Sequence, residues 1–258
     1  MGLLQDDLEI TLQSVRILTP EDIKPAAIAL RDFAWRHGRF RVAACHNIAS
    51  KTSMTDVEGN VLATSVFGWT EDDRWWRTPE LALHSPLPTA CRYESEPFWC
   101  NAAGFHGSLP NPLMDAVDRS DFETRSFASA AIVVPVHLPF GQIGAVSFTL
   151  EDPLLTDLSE TFAVHAPALG LLTRQFITGY VRARSAQARL PPMSLLSKRE
   201  VACLRWAAVG KTDIEISLIL KLSRATVRFH LRNASQKLDA VNKSQVLFKA
   251  AQLGYIAF

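Results

Sequence analysis

The chain has 258 residues, of which 48% are hydrophobic and 21% are charged, and its formal net charge is +1. This length allows two globular domains, and the apolar content excludes a largely disordered chain. The four cysteines are not spaced as a zinc site or a disulfide framework requires, and Cys45-His46 is adjacent rather than ligand-spaced. No basic and apolar leader opens the chain, and no apolar run reaches the ~18 residues of a membrane span. We therefore expect a cytoplasmic protein that has no membrane contact, metal or other cofactor.

The first 150 residues predict a mixture of helices and antiparallel strands. Helices are predicted over residues 5–16, 20–36 and 113–118. Strands are predicted over residues 40–48, 61–67, 130–137 and 143–150, with turns between the members of each pair. The absence of glycine-rich phosphate loops and of alternating strand–helix units argues against a phosphate-accepting receiver domain. The pattern favours an α/β/α sandwich around an antiparallel sheet, which makes the fold class α+β.

A long helix and a proline pair mark the domain boundary. The helix is predicted from about residue 155 to 187, and Pro167 is expected to kink or split it. Pro191-Pro192 then excludes any helix, so that residues 187–195 are predicted to be a linker. The predicted domains are residues 1–186 and residues 196–258.

The last 65 residues predict four short helices with their caps. Ser197 and Glu200 form a capping box, and Thr212 and Glu215 form a second one. Ser223 caps the third helix, which runs to about residue 238, and Asn242 opens the fourth. Gly210 is expected to end the first helix in the left-handed conformation. The turn between the second and third helices is only residues 221–223, as a helix-turn-helix unit requires.

The third helix carries arginines on one face and a buried stripe on another. Val227, Leu231, Ala234 and Leu238 form the apolar stripe. Arginines at every fourth position can contact guanine edges or phosphates in the major groove, while helix N-termini favour phosphate. The candidate DNA-binding residues are Lys211, Thr212, Arg224, Thr226, Arg228, Arg232, Lys237 and Lys243.

Charge is divided unevenly along the chain. Residues 194–258 hold 11 Lys and Arg against 4 Asp and Glu, a net charge of +7, while the other residues hold 16 against 22, a net charge of −6. An arginine row on a single helix is also typical of a solvated surface. Combined with the caps, the tight turn and the segregated charge, the row favours binding to double-stranded DNA.

The C-terminal segment resembles the DNA-binding domain of the LuxR family of bacterial transcription regulators. The resemblance rests on Leu196-Ser197, Arg199-Glu200, Gly210-Lys211-Thr212, Glu215-Ile216, Leu222-Ser223, Thr226-Val227, His230, Lys237-Leu238 and Asn242-Lys243. It implies a promoter-binding homodimer and raises RNA polymerase as a further partner. In this family the fourth helix is a dimer contact, which would place Val246, Lys249, Ala250 and Leu253 near a two-fold axis.

An aromatic-rich stretch lies between the predicted strands. Within 33 residues it holds Phe67, Trp69, Trp75, Trp76, Tyr93, Phe98 and Trp99. Such residues line apolar pockets for small ligands, but they equally build the core of a domain of this size. The residues leave both interpretations open.

Residues ~20–175 resemble, less closely, the acyl-homoserine-lactone-binding domain of the quorum-sensing branch of the same family. Ser85-Pro86 followed by Pro97-Phe98-Trp99 is similar to the family's Asp-Pro followed by Pro-Phe-x-Trp, and the segment from Thr124 to Ser147 is similar to its central hairpin. The resemblance implies that a small amphipathic signal binds the N-terminal domain. The candidate ligand-binding residues are Trp69, Trp75, Trp76, Ser85, Phe98, Trp99 and Ser147.

Two positions depart from the family pattern. Ser85 replaces the aspartate that accepts the amide N–H of the signal, which removes a charge-assisted hydrogen bond. Phe127 or a neighbour occupies a place where the family has a small residue. The pocket is therefore expected to hold a different molecule or to be filled by the protein's own aromatic side chains.

Three functions follow from these residues. The first is a DNA-binding regulator controlled by a small signal, and the second is a ligand-independent regulator whose aromatic residues form a dimerisation core. The third is an enzyme fused to a DNA reader, but Ser65, Asp72 and His84 have no catalytic motif around them. We expect the first function and no catalysis.

Overall fold

The computed structural model describes residues 2–50, 52–70, 85–152, 154–185 and 195–256. The chain divides into an N-terminal unit of residues 1–138 and 142–187 and a C-terminal unit that contains residues 188–258. Most of the predicted linker lies outside the described residues, so its bounds stay a prediction. In none of the described ranges does a helix combine the length and apolar character that a membrane crossing requires.

The N-terminal unit is built on a five-stranded antiparallel sheet. Its strands are β1 (Phe40–Cys45), β2 (Phe98–Asn101), β3 (Phe105–Gly107), β4 (Ala130–His137) and β5 (Ile143–Leu150). The spatial order is β1-β5-β4-β2-β3, and every neighbouring pair is antiparallel. Three of the four predicted strands are present, and the hairpin of β4 and β5 begins and ends where the sequence predicts.

The predicted strand over residues 61–67 is wrong, because Leu62–Ser65 form a short helix. Only an isolated bridge between Thr55 and Val61 has strand character there. The side chains of Leu62, Val66 and Phe67 are all buried in one core. Val66 and Phe67 follow Leu62 by four and five residues, so a helical turn directs the three side chains to the same side. Helical burial therefore outweighs the strand preference of the valines and the phenylalanine.

The helices in the described part of the N-terminal unit lie on both sides of the sheet. They are α1 (Gly2–Ser14), α2 (Ile23–Gly38), α3 (Leu62–Ser65), α4 (Pro86–Tyr93), α5 (Pro112–Asp115), α6 (Phe122–Ser126) and α7 (Ser159–Ser185). Helices α2 and α7 cover one face through a core that includes Phe40 and Phe148. Helices α4 to α6 cover the other through a second core around Phe98 and Phe122. This confirms the predicted α/β/α sandwich.

Helix α7 contains Pro167 and is nevertheless assigned as one continuous helix of 27 residues. The expected split is therefore absent, and the alternative of a kink stays a prediction. Its inner side includes Leu172, Phe176 and Ile177, all fully buried. Burial of each such side chain contributes about 1.5–3 kcal/mol, which is comparable to the ~3 kcal/mol cost of an interior proline.

A close approach between α7 and the sheet depends on Gly144 of β5. A Cβ atom at this position would lie 2.6 Å from Ile177 Cγ2 and 3.2 Å from the carbonyl oxygens of Cys45 and His46. Two of these three atoms belong to the backbone and cannot give way easily. The glycine thus permits the sheet and the helix to pack at this distance.

The C-terminal unit consists of four helices, as predicted. They are α8 (Lys198–Ala208), α9 (Asp213–Leu220), α10 (Arg224–Lys237) and α11 (Lys243–Gln252). Both capping boxes form, and Ser223 and Asn242 each accept a hydrogen bond from a backbone N–H of the first turn that follows. Gly210 has a φ of +85° directly after α8, as expected of a helix end. These local signals confirm the sequence interpretation of this unit.

The apolar residues of α8 and α9 are less buried than the sequence suggests. Trp206 of α8 is 37% exposed, whereas Cys203 and Ala207 of the same helix lie in the core. In α9 only Ile216 is buried, whereas Ile214 and Leu218 lie on the surface. A helix of eight residues has one side against its neighbours, so its other apolar residues remain in solvent.

Candidate DNA interface and ligand cavity

Helices α9 and α10 form the helix-turn-helix. Lys221 adopts the left-handed conformation with a φ of +53°, and the N–H of Leu222 donates to the Ser217 carbonyl at 2.9 Å. This turn redirects the chain within three residues, while Ile216 and Val227 pack in the core that the two helices share with α8. The unit therefore presents α10 on its surface in the arrangement that reads the major groove.

Helix α10 buries one side and exposes the arginine row. Val227 and Ala234 are buried, whereas Arg224, Arg228 and Arg232 are exposed. The guanidinium of Arg228 donates from Nε to Asp213 Oδ2 at 3.1 Å, which orients a side chain that is 60% exposed. With 14 residues, the helix is about 21 Å long, and its diameter of about 10–12 Å matches the roughly 12 Å width of a DNA major groove.

The candidate phosphate contacts at the helix starts are engaged in caps. Lys211 Nζ lies 3.1 Å from Glu215 Oε1, and the Thr212 hydroxyl donates to the other oxygen of the same carboxylate. Hydrogen bonds from the Thr212 N–H and hydroxyl, followed by Lys211, lower the pKa of Glu215 to about 2. The Thr226 hydroxyl lies 2.8 Å from the Ser223 hydroxyl. DNA contact by Lys211, Thr212 and Thr226 stays a prediction.

Lys237 has a structural partner inside the unit. Its Nζ donates to Glu200 Oε2 at 2.9 Å and to the Leu195 carbonyl at 3.2 Å. Burial would raise the pKa of the Glu200 carboxyl, but hydrogen bonds from the Ser197 N–H and Lys237 outweigh burial and hold that pKa below its ordinary value. Lys237 therefore neutralises a buried carboxylate, whereas Lys243 is exposed at the start of α11.

The predicted dimer face of α11 needs correction. Val246 and Ala250 are 2% and 0% exposed because they belong to the core of the unit, so they cannot face a partner. Of the predicted apolar residues only Leu253, at 40%, is exposed, and Phe248, at 62%, is a further exposed apolar side chain of α11.

A cavity of about 120 Å³, hereafter the inner cavity, lies in the N-terminal unit against the sheet face that carries α4 to α6. The described residues that line it are Ala43, Ala44, Cys45, Ile48, Ser50, Thr52, Ser53, Met54, Ala63, Trp69, Leu87, Pro88, Cys91, Ser126, Phe127, Val133, Ala145, Ser147 and Thr149. Hydroxyls and thiols are thus distributed among apolar groups, as in sites for uncharged amphipathic molecules.

Two of the predicted ligand residues line the inner cavity. They are Ser147 on β5 and Trp69, whose indole N–H already donates to the Val42 carbonyl at 2.6 Å. Ser85 is fully buried with a hydroxyl that has no partner among the described residues, and it does not line the cavity. Phe98 is buried in the second core. Trp75 and Trp76 lie outside the described residues, as do Asp72 and His84.

The expected position of Trp99 is wrong. Trp99 pairs with Ile132 of β4 and packs against the core on the α7 side, where its ring stacks on His106 at 4.2 Å. The family motif Pro-Phe-x-Trp would place its tryptophan one residue later, at Cys100, on the opposite face. A shift of one residue along a strand moves a side chain to the other side of the sheet.

Sequence reasoning missed most of the cavity wall. Cys45 lies on β1 and Cys91 on α4, and both line the cavity. Burial raises the pKa of Cys45 to about 11 and that of Cys91 well above its ordinary value, so both thiols remain protonated and weakly nucleophilic. A period of two from Ser147 would have identified Ala145 and Thr149, but no local signal indicates Cys91.

Comparison with known proteins identifies the C-terminal unit. Residues 194–250 match the family described as "Bacterial regulatory proteins, luxR family". This unit is a luxR-family domain. The resemblance to the LuxR family inferred from the sequence is therefore confirmed for this unit.

Curated relatives of the chain are named as transcriptional regulators, and some of them as quorum sensing-dependent. The transcriptional activator VanR of Vibrio anguillarum is 36% identical over 127 residues, which are 49% of this chain and 52% of VanR. The regulatory protein SdiA of Escherichia coli is 37% identical over 123 residues, 46% of this chain and 48% of SdiA. The alignments thus span about half the length of the curated relatives.

A solved structure has the fold of the whole chain. The crystal structure of Escherichia coli SdiA superposes with a TM-score of 0.53 at 22% identity, over 99% of this chain and 100% of SdiA. A second structure, SdiA in complex with octanoyl-rac-glycerol, gives a TM-score of 0.52 at 22% identity, over 100% of this chain and 98% of SdiA. The likeness confirms the α+β fold class.

Proposed function

We propose that this protein is a transcription regulator that binds promoter DNA as a homodimer and is controlled by a small amphipathic signal. In this proposal residues 1–186 sense the signal, residues 187–195 connect the domains, and residues 196–258 read the DNA. The exposed row of Arg224, Arg228 and Arg232 on a luxR-family helix-turn-helix is the observation that carries the proposal.

The charge of the C-terminal unit supports DNA binding. Its net charge of +7 attracts the phosphate backbone, while the arginine row supplies bidentate donors for base edges. A homodimer would place two such helices on half-sites of an inverted repeat about one helical turn apart. The exposed Phe248 and Leu253 of the α11 region are the apolar groups available for that contact.

The inner cavity supports control by a signal. The described residues that line this cavity are mostly apolar. SdiA, which has a similar fold, has been solved in complex with octanoyl-rac-glycerol. A ligand in this cavity would shift the protein toward the DNA-binding arrangement only if it binds that arrangement more tightly than the alternatives.

The DNA function is tested on an operator selected in vitro with the full-length protein. Arg228→Ala is expected to weaken specific binding by about 1–3 kcal/mol, or about five- to 150-fold. Lys211→Ala should weaken binding to all sequences and reduce the salt dependence if Lys211 contacts phosphate. Arg205→Ala, which removes an exposed arginine of α8, is the matched control. Equal affinities for R228A and R205A would exclude Arg228 as a base contact.

The signal is tested by thermal shift on the full-length protein with acylglycerols, acyl-homoserine lactones and small aryl compounds. A ligand at a hundred times its dissociation constant adds about 2.7 kcal/mol to the unfolding free energy. A selective shift would support the sensor. A protein that binds its operator without any additive and shows no shift would instead be the ligand-independent regulator.

A further inference from the structure

The inner cavity has a neighbour on the same side of the sheet. This outer cavity has a volume of about 540 Å³, and its wall includes the charged side chains Arg41, Glu123, Glu151 and Asp152. The inner cavity has no charged side chain among its described lining residues. The two cavities therefore differ in chemistry as well as in size.

Phe127 and Thr149 line both cavities. A third link is the guanidinium of Arg41, which lines the outer cavity and lies 4.0 Å above the ring of Trp69, which lines the inner one. Phe127 is the larger of the two side chains that line both cavities. Phe127, Thr149 and the Arg41–Trp69 pair are therefore the described side chains where the two cavities adjoin, and we call them the partition.

The backbone of Phe127 has a conformation that favours glycine. Phe127 follows α6 with a φ of +55° and a ψ of 30°, which is the left-handed region and is unusual for a bulky residue. The turn is held by the Ser126 hydroxyl, which lies 2.6 Å from the Phe122 carbonyl and 2.9 Å from the Ala128 carbonyl. The aromatic ring is therefore kept at the partition in spite of the backbone preference.

The volumes of the two cavities indicate which size of ligand each can hold. Pockets for full-sized ligands measure about 300–1,000 Å³, whereas an apolar cavity of about 150 Å³ accommodates one benzene molecule. The inner cavity, at about 120 Å³, falls in the second class, and the two cavities joined would fall in the first.

We infer that Phe127 determines ligand specificity by closing the inner cavity, so that the protein takes a compact, uncharged signal and excludes long-chain amphiphiles. This inference rests on the proposed sensor function and assigns its ligand class. Removal of the Phe127 side chain joins the two cavities, and a long chain then reaches from the apolar inner cavity to the charged outer one.

The test measures the affinity of the full-length protein for glycerol monoesters of four, six and eight carbons by calorimetry. Each methylene that becomes buried raises affinity about four-fold. For the wild type we expect no gain beyond the length that fills the inner cavity. For Phe127→Gly we expect the affinity to keep rising, by more than about a hundred-fold over four methylenes.

The matched control is Asp121→Gly. Asp121 precedes α6 with a φ of +48°, so this variant introduces glycine at a left-handed residue without altering either described cavity wall. Phe127→Ala serves as the second variant if Phe127→Gly does not fold.

Three results are distinguishable. A longer preferred chain in F127G, but not in D121G, supports the partition. The same rise with chain length in the wild type and in F127G overturns the partition and leaves the sensor function intact. Absence of binding by both proteins at every length overturns the partition, because F127G should bind the longest chain, whereas the thermal-shift panel of other ligands decides the sensor function separately.

Discussion

The role of Lys237 can be tested directly. The sequence predicts that it contacts DNA, whereas in the structure its ammonium group pairs with the buried Glu200 carboxylate. The Lys237→Met substitution keeps most of the aliphatic stem but removes the ammonium group that pairs with Glu200. Removing one partner of a buried ion pair costs about 3–5 kcal/mol, whereas an exposed pair is worth about 0–1 kcal/mol. Here Glu200 is 4% exposed and Lys237 is 36% exposed, so we expect an intermediate loss of about 2 kcal/mol.

Hydrogen exchange measured by mass spectrometry reports this loss in the full-length protein. Amides of α8 and α10 that exchange through opening of the C-terminal unit should exchange about thirty-fold faster in K237M at neutral pH. The folded pKa of Glu200 lies below its ordinary value of 4.5. Its charged form therefore stabilises the fold above that value, and this contribution is lost as the pH falls through the folded pKa. The difference in amide exchange rate between K237M and the wild type should therefore become smaller at acidic pH.

The control is Lys243→Met, which removes an exposed lysine at the start of α11. Surface substitutions of this kind change stability by less than about 0.5 kcal/mol. Exchange in K237M as slow as in K243M would refute the structural role of Lys237. A folded K237M that binds DNA with a smaller salt dependence than the wild type would restore Lys237 as a phosphate contact.

Three further predictions concern packing, capping and titration. Gly144→Ala should lower the unfolding free energy of the N-terminal unit by about 1–3 kcal/mol in chemical denaturation, because its Cβ would lie 2.6 Å from Ile177; unchanged stability would show that the sheet and α7 can separate freely. Ser223→Ala should cost the C-terminal unit about 1 kcal/mol and speed exchange at the start of α10, and protection equal to the wild type would contradict the cap. The Asp118 carboxyl should titrate by NMR with a pKa of about 2, chiefly because the Ser120 N–H donates a hydrogen bond to it. Since this pKa lies below the ordinary value of 3.8, the stabilisation by the charged carboxylate is lost as the pH falls toward 2. A measured pKa near 3.8 would contradict the hydrogen bond.

In the N-terminal unit the sequence predicts the long strands but not the short ones. The long strands β4 and β5 were predicted with their ends, because eight-residue apolar runs on either side of a turn give a strong signal. Strands β2 and β3 have only four and three residues and were not predicted. Without them the face of Trp99 was undetermined, and the resemblance placed it on the wrong side of the sheet.

The sequence by itself determined the C-terminal unit because its signals act within one or two helical turns. A capping box joins residues three apart, such as Ser197 and Glu200, and the arginine row of α10 repeats every four residues. Such short-range patterns are visible in the chain before it folds.

Tertiary packing brings together groups that are far apart in the chain. Lys237 reaches Glu200 across 37 positions, and the inner cavity brings Trp69, Cys91 and Ser147 into one wall. Phe127, the left-handed residue after α6, and Thr149 of β5 line the same two cavities. These contacts follow from packing of helices on the two faces of a sheet, and no local pattern of residues encodes them.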